Sequence, residues 1–255
     1  MIQSGRKQKR SLKITPKRLF LGLCLVTLLA ALGFVLWAET PLQPAPEALA
    51  ALQSDAEVKV TTDDFVTFSP VGREPWTAFV FYPGGRVDYR AYAVPLRRIA
   101  EHGYLVVLLP VRLNLAFFDV NAAQPAMAAF PSIRKWVVGG HSLGGVAAAL
   151  YASRRADIDA VVFWASYPAD NTLKNKDPQI LSVYGTLDMG GSESFTASRA
   201  NLPADATFVA IEGGNHAQFG DYGFQPGDNE ATITRREQQD QVVAATLKFL
   251  EEVSR

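Results

Sequence analysis

The chain has 255 residues, 48% of them apolar and 20% charged, proportions of a folded globular protein that exclude a disordered or collagen-like chain. Its zero net charge conceals a split: the first 18 residues hold seven Lys or Arg and no acid, leaving 18 basic against 25 acidic side chains over residues 19–255. That remainder, at net −7, carries no electrostatic footprint for nucleic acid, and the single cysteine, Cys24, excludes internal disulfides and thiolate zinc clusters.

Residues 19–38 form an uncharged apolar run, about 30 Å long as a helix, which is the hydrocarbon thickness of a bilayer. A cleaved signal peptide has a shorter apolar stretch and a small-residue cleavage site, and Trp37-Ala38-Glu39 makes a poor one. A lipid anchor on Cys24 is disfavoured by Leu23 before it. The expectation is therefore an uncleaved single-pass transmembrane anchor at 19–38, with cleavage as the alternative. The basic tail, 1–18, stays in the cytoplasm by the positive-inside rule, and the rest of the chain lies on the far side of the cell membrane. Residues 39–47 hold three prolines and read as a stiff spacer, so the globular domain is expected over 48–255.

From residue 48 onward, apolar and β-branched runs alternate with segments of helical period, the rhythm of a mostly parallel sheet covered by helices. Strands are expected at 65–68, 77–82, 105–109, 135–139, 160–164, 180–184 and 207–211. Several are apolar throughout, as strands buried on both faces must be. A helix is expected over 89–102, ending at Gly103. The last helix opens at Thr234 with a capping box through Glu237.

The most informative stretch is Gly139-Gly140-His141-Ser142-Leu143-Gly144-Gly145, a G-x-S-x-G between an apolar strand and an alanine-rich helix. In that context the pattern is a nucleophile elbow: a strained turn projects the serine oxygen above the sheet, and flanking glycines let neighbouring backbone approach without a Cβ clash. A dinucleotide fingerprint would need glycine where His141 stands, and a phosphate-binding loop would need Lys-Ser or Lys-Thr after its second glycine.

A serine hydroxyl needs a base, and the base needs a third group to hold its tautomer. Of three histidines, His102 ends a helix and His141 points away from its neighbour Ser142, which leaves His216 on the glycine-rich loop after the last strand. The acid is expected to be Asp188, just beyond the strand at 180–184, with Asp170 and Glu212 as rivals. The chain order Ser142, Asp188, His216 is the one a nucleophile elbow of this kind takes. For the oxyanion, the amide of Leu143 is one donor and that of Gly85, in Tyr82-Pro83-Gly84-Gly85-Arg86, is the other, with Arg86 next in line.

The stretches 82–88, 139–145 and 213–220 together resemble the α/β-hydrolase fold-5 family, whose members are often membrane-anchored bacterial proteins, over roughly residues 48–252. The resemblance implies an α/β-hydrolase fold with Ser142, Asp188 and His216 as the triad. It implies a hydrolase without naming its substrate; the triad chemistry calls for no cofactor, and the partner expected is a small-molecule acyl substrate. Only a short stretch separates Trp164 from Ile180, where relatives insert a helical lid, so no large lid domain and an open pocket are expected. The loop 220–230 is rich in acids, but lacks the spacing of a calcium-binding EF-hand, and no metal is expected there. The activity expected is that of a serine hydrolase cleaving an ester or related acyl bond. The alternatives are an acyltransferase, a peptidase or thioesterase on the same triad, and a non-catalytic surface binding module.

Overall fold

The computed structural model describes residues 15–255. Residues 1–14 of the expected basic tail lie outside them. The first element, helix α1 (Pro16–Ala38), has a mean hydropathy of 2.7 and is long and apolar enough to cross a membrane. Residues 38–255 form a separate compact unit.

That unit is built on one eight-stranded sheet: β1 (Val58–Thr62), β2 (Val66–Pro70), β3 (Thr77–Tyr82), β4 (Leu105–Leu108), β5 (Lys135–His141), β6 (Ala160–Trp164), β7 (Gln179–Gly185) and β8 (Thr207–Ile211). Their order is β1-β2-β4-β3-β5-β6-β7-β8. β1 and β2 run antiparallel at one edge, and the other strands are parallel.

Period-two alternation divides the core into two layers. On one face Phe79, Phe81, Val106, Val162 and Trp164 pack against helices α3 (Ala93–Ala100) and α7 (Arg235–Val253). On the other, Val80, Val107, Val138, Val161 and Phe163 meet helices α4 (Ala123–Ala129) and α5 (Leu143–Ala152). Each such side chain contributes about 1.5–3 kcal/mol on burial, which explains why these strands are apolar throughout. Helix α6 (Gly191–Ser198) follows β7, and α7 starts with the expected capping box between Thr234 and Glu237.

Four local expectations need correction. Strand β1 was not expected from its sequence, because Lys59, Thr61 and Thr62 leave little apolar pattern on an edge strand with mixed burial. The helix expected over 89–102 is divided: a 3₁₀ turn at Tyr89–Tyr92, capped by the Asp88 carboxylate accepting from the Arg90 amide, precedes α3. The segment 39–47 is no free spacer. Its Leu42 bridges Val87 in parallel, donating to Arg86 O at 2.8 Å and accepting from Asp88 N at 3.0 Å, and Ala45 N donates to Asp221 O at 2.6 Å. Pro46 then opens a short helix, α2 (Pro46–Ala50), from the first-turn position where a missing N–H costs nothing. The strand expected at 65–68 begins one residue later, as β2. Between β6 and β7 there are only turns and bends, so no lid domain is inserted there.

Candidate active site

The parallel strands end along one edge of the sheet, where ligand sites form in folds of this type. The loops after β3, β5, β7 and β8 carry Gly85, Ser142, Asp188 and His216 respectively.

Ser142 follows β5 directly and has φ 51° and ψ −122°, a region costly for any residue with a side chain. Neighbouring bonds hold it there: Ser142 N donates to Trp164 O at 3.0 Å, and Ser166 Oγ donates to Ser142 O at 2.6 Å. The flanking glycines are required by close approach. A Cβ on Gly144 would lie 2.2 Å from Tyr82 O and 2.4 Å from Pro83 O, and one on Gly140 would lie 2.5 Å from the Gly144 carbonyl carbon. The G-x-S-x-G spacing thus lets the start of α5 sit against the end of β3.

His216 is fixed from two sides. Gln238 of α7 clamps the preceding residue, accepting from Asn215 N at 2.9 Å and donating to Asn215 O at 2.8 Å. The Asp228 carboxylate accepts the amides of His216 at 3.3 Å and Ala217 at 2.8 Å. On the ring itself, Nδ1 lies 2.8 Å from Asp188 Oδ2, with both side chains buried. Asp188 Oδ1 accepts from Gly190 N at 2.9 Å, which aims the other oxygen at the imidazole. An ionised carboxylate only accepts, so the Nδ1 of a neutral His216 carries the proton and Nε2 is left as the basic nitrogen. That Nε2 is buried and has no hydrogen-bond partner.

Ser142, Asp188 and His216 line one cleft of ≈330 Å³, walled by the apolar groups of Leu143, Val146, Ala165, Tyr167, Met189 and Phe195. No hydrogen bond joins Ser142 to His216. General-base contacts are often long without substrate and tighten when it binds. Tyr167 meets Phe195 edge-on at 5.5 Å between ring centroids on the cleft wall, and Tyr184 stacks on Phe195 at 4.6 Å.

Of the possible oxyanion donors, Arg86 N is engaged with Asn114 O at 2.7 Å, and Gly84 N donates to the Tyr92 hydroxyl at 3.1 Å. Gly85 N makes no hydrogen bond among the described residues, and an added Cβ at Gly85 would lie 3.2 Å from Leu143 Cδ2. Leu143 opens α5, where amides lack an intrahelical partner. The two donors read from the sequence are therefore neighbours, and the rival Arg86 is occupied.

The other rivals are elsewhere. Asp170 is exposed and caps Thr172, Glu212 accepts from Thr186 Oγ1 at 3.3 Å, and His102 Nδ1 lies 2.9 Å from Arg98 O at a helix end. In the acidic loop, Asp221 is paired with Arg235 at 3.0 Å and accepts from Gln239, while Asp228 holds the two amides already described. Burial nevertheless pushes the Asp221 carboxyl above the ordinary aspartate range, with Arg235 opposing the shift. Among the described residues no three metal-ligating side chains cluster.

Sequence reasoning missed Asp228, Gln238 and Ser166 as supports, and set His141 aside as pointing away from Ser142. His141 is buried, and both of its nitrogens are hydrogen-bonded. Its partners come from distant segments, so no local pattern announces them.

The model of the alpha/beta hydrolase family matches residues 78–240. No curated protein matches the chain. Three solved structures share the fold at low identity. The crystal structure of an esterase domain from a Rhodothermus marinus protein has a TM-score of 0.59 at 14% identity, covering 76% of this chain and 97% of that one. Est1E from Butyrivibrio proteoclasticus gives 0.56 at 12% identity, covering 77% and 98%. TT1662 from Thermus thermophilus gives 0.52 at 15% identity, covering 76% and 99%.

Proposed function

The chain belongs to the alpha/beta hydrolase family, and from that premise we propose that it is a serine hydrolase cleaving an ester or related acyl bond through Ser142, His216 and Asp188. The observation that carries this reading is the buried 2.8 Å contact between His216 Nδ1 and Asp188 Oδ2, with the unpartnered Nε2 in the cleft that Ser142 shares.

In this mechanism His216 Nε2 takes the proton of Ser142 Oγ as that oxygen attacks the acyl carbon. Asp188 keeps the ring oriented and stabilises the imidazolium. The oxyanion receives hydrogen bonds from Gly85 N–H and Leu143 N–H. Collapse of the tetrahedral species breaks the acyl–oxygen bond, and the imidazolium protonates the departing alkoxide. Water then attacks the acyl-enzyme, giving its proton to His216. The second collapse returns that proton to Ser142 and releases the acid. The apolar walls of the cleft suit an uncharged acyl group of modest size. Helix α1 serves as a membrane anchor, and the seven basic residues within the first 18, two of them in its first turn, keep its amino-terminal end in the cytoplasm, leaving the domain outside.

A panel of p-nitrophenyl esters of rising acyl length, set beside peptide and thioester substrates, tests the reading. Turnover of esters that Ser142→Ala abolishes is the expected result. Turnover of peptides alone, or ester turnover unaffected by Ser142→Ala, would overturn it.

A further inference from the structure

We propose that Tyr92 and His141 form a positioning strut that sets the oxyanion loop, the nucleophile and the base relative to one another; as a role in catalysis it rests on the hydrolase reading above. Gly84 N donates to the Tyr92 hydroxyl at 3.1 Å, Tyr92 Oη lies 2.8 Å from His141 Nδ1, and His141 Nε2 lies 3.0 Å from the carbonyl oxygen of His216. The chain of contacts starts one residue before the donor Gly85 and passes through the residue before Ser142. It ends on the backbone of the base itself.

The direction of every bond follows from the chemistry of its ends. A backbone amide only donates, so Tyr92 Oη accepts from Gly84. A backbone carbonyl only accepts, so His141 Nε2 carries a proton. With His141 neutral, Nδ1 is bare and receives the Tyr92 hydroxyl proton, and each group in the series is satisfied. Protonation of Nδ1 would aim two N–H groups at the Tyr92 oxygen and displace the hydroxyl proton from the nitrogen that accepts it. It would also place an unpaired charge in a buried site, where that is costly.

The strut is rigid because it is enclosed. The rings of His216, Tyr92, Phe219 and Tyr222 pack around His141 with centroids 4.5, 5.6, 5.6 and 6.4 Å away. An added Cβ on Gly84 would lie 2.6 Å from His141 Nδ1 and 2.7 Å from Tyr92 Oη, so glycine at this position is the condition for the strut to reach the loop. Burial and the nearby His216 both hold the His141 imidazole well below the ordinary histidine range, in keeping with the neutral tautomer that the geometry requires.

Two measurements on the full chain test the strut. Nitrogen-15 NMR of the histidine rings, recorded without substrate, is expected to show His141 protonated at Nε2 only, and a low-field Nδ1 proton on His216 from its bond to Asp188. Tyr92→Phe and His141→Phe, each checked for wild-type circular dichroism, are expected to shift or broaden that His216 proton. On p-nitrophenyl acetate they should lower kcat by about 10²-fold, the cost of an ångström-scale misplacement, with KM little changed. His141→Gln, whose amide can accept from Tyr92 and donate to His216 O, should recover most of the lost rate. A His141 protonated at Nδ1, or a His216 proton signal unmoved in both phenylalanine variants, overturns the strut whether or not the enzyme reading stands. Wild-type kcat in folded Tyr92→Phe and His141→Phe also overturns it. An inactive wild type with the expected spectra would instead refute the hydrolase reading and remove the strut's catalytic role with it.

Discussion

Gly144→Ala probes the geometry of the site without touching any reacting group. The new Cβ would stand 2.2 Å from Tyr82 O, 2.4 Å from Pro83 O and 2.7 Å from the Tyr82 carbonyl carbon, where ordinary contact begins at 3.4 Å. All three neighbours are backbone, so relief requires the end of β3 and the start of α5 to separate by about 1 Å. Gly85 follows on that strand end and Leu143 begins that helix, so the separation opens the proposed pair of oxyanion donors directly. Overpacking of this kind costs about 1–3 kcal/mol of stability. A displacement of about 1 Å at the reacting centre costs on the order of 10²-fold in rate. Denaturant melts and ester kinetics on the purified variant read both quantities. A folded Gly144→Ala protein with wild-type kcat/KM would refute the argument that this glycine serves the approach of α5 to β3.

Three further outcomes follow from the same contacts. Asp188→Asn should preserve the fold but release the Nδ1 tautomer of His216, lowering kcat by about 10⁴-fold, the size of the effect in the chymotrypsin-type triad, as steady-state ester kinetics would register. Gln238→Leu leaves the buried Asn215 N–H and C=O without partners, an expected loss of about 1–3 kcal/mol in urea unfolding. His141 must stay neutral in the folded state amid Tyr92, Tyr222 and His216, while the unfolded imidazole takes up a proton near its ordinary pKa. Stability from this group is therefore present above about pH 6.5 and falls with decreasing pH below it, by at most about 1.4 kcal/mol per pH unit, and His141→Gln should flatten that slope in melts run from pH 7.5 to 5.5.

The parts of this molecule that were readable from sequence are those whose cause is local. The apolar runs that became β3 through β7 announce burial on both faces, and Thr234 with Glu237 announces a helix start, because pattern and partner lie within a few residues. The elbow is readable for the same reason: Gly140, Ser142 and Gly144 are one turn. His216 and Asp188 could be placed by chain order after their strands, although the bond between them spans two loops. What could not be read depends on distant partners. Leu42 pairs with Val87 despite the prolines around it, because one free N–H and one C=O suffice for a bridge. The choice between Gly85 and Arg86 is decided by Asn114, and the two-sided bonding of His141 by Tyr92 and the backbone of His216.

The central claim is that Ser142 is a nucleophile activated by His216. Incubation of the full-length chain in detergent with an activated fluorophosphonate, followed by intact-mass and peptide mass spectrometry, reads this directly. One phosphonyl adduct on Ser142, absent in Ser142→Ala and strongly slowed in His216→Ala, is the expected result. A wild-type protein that stays unmodified while folded, or that carries the adduct on another residue, would contradict it.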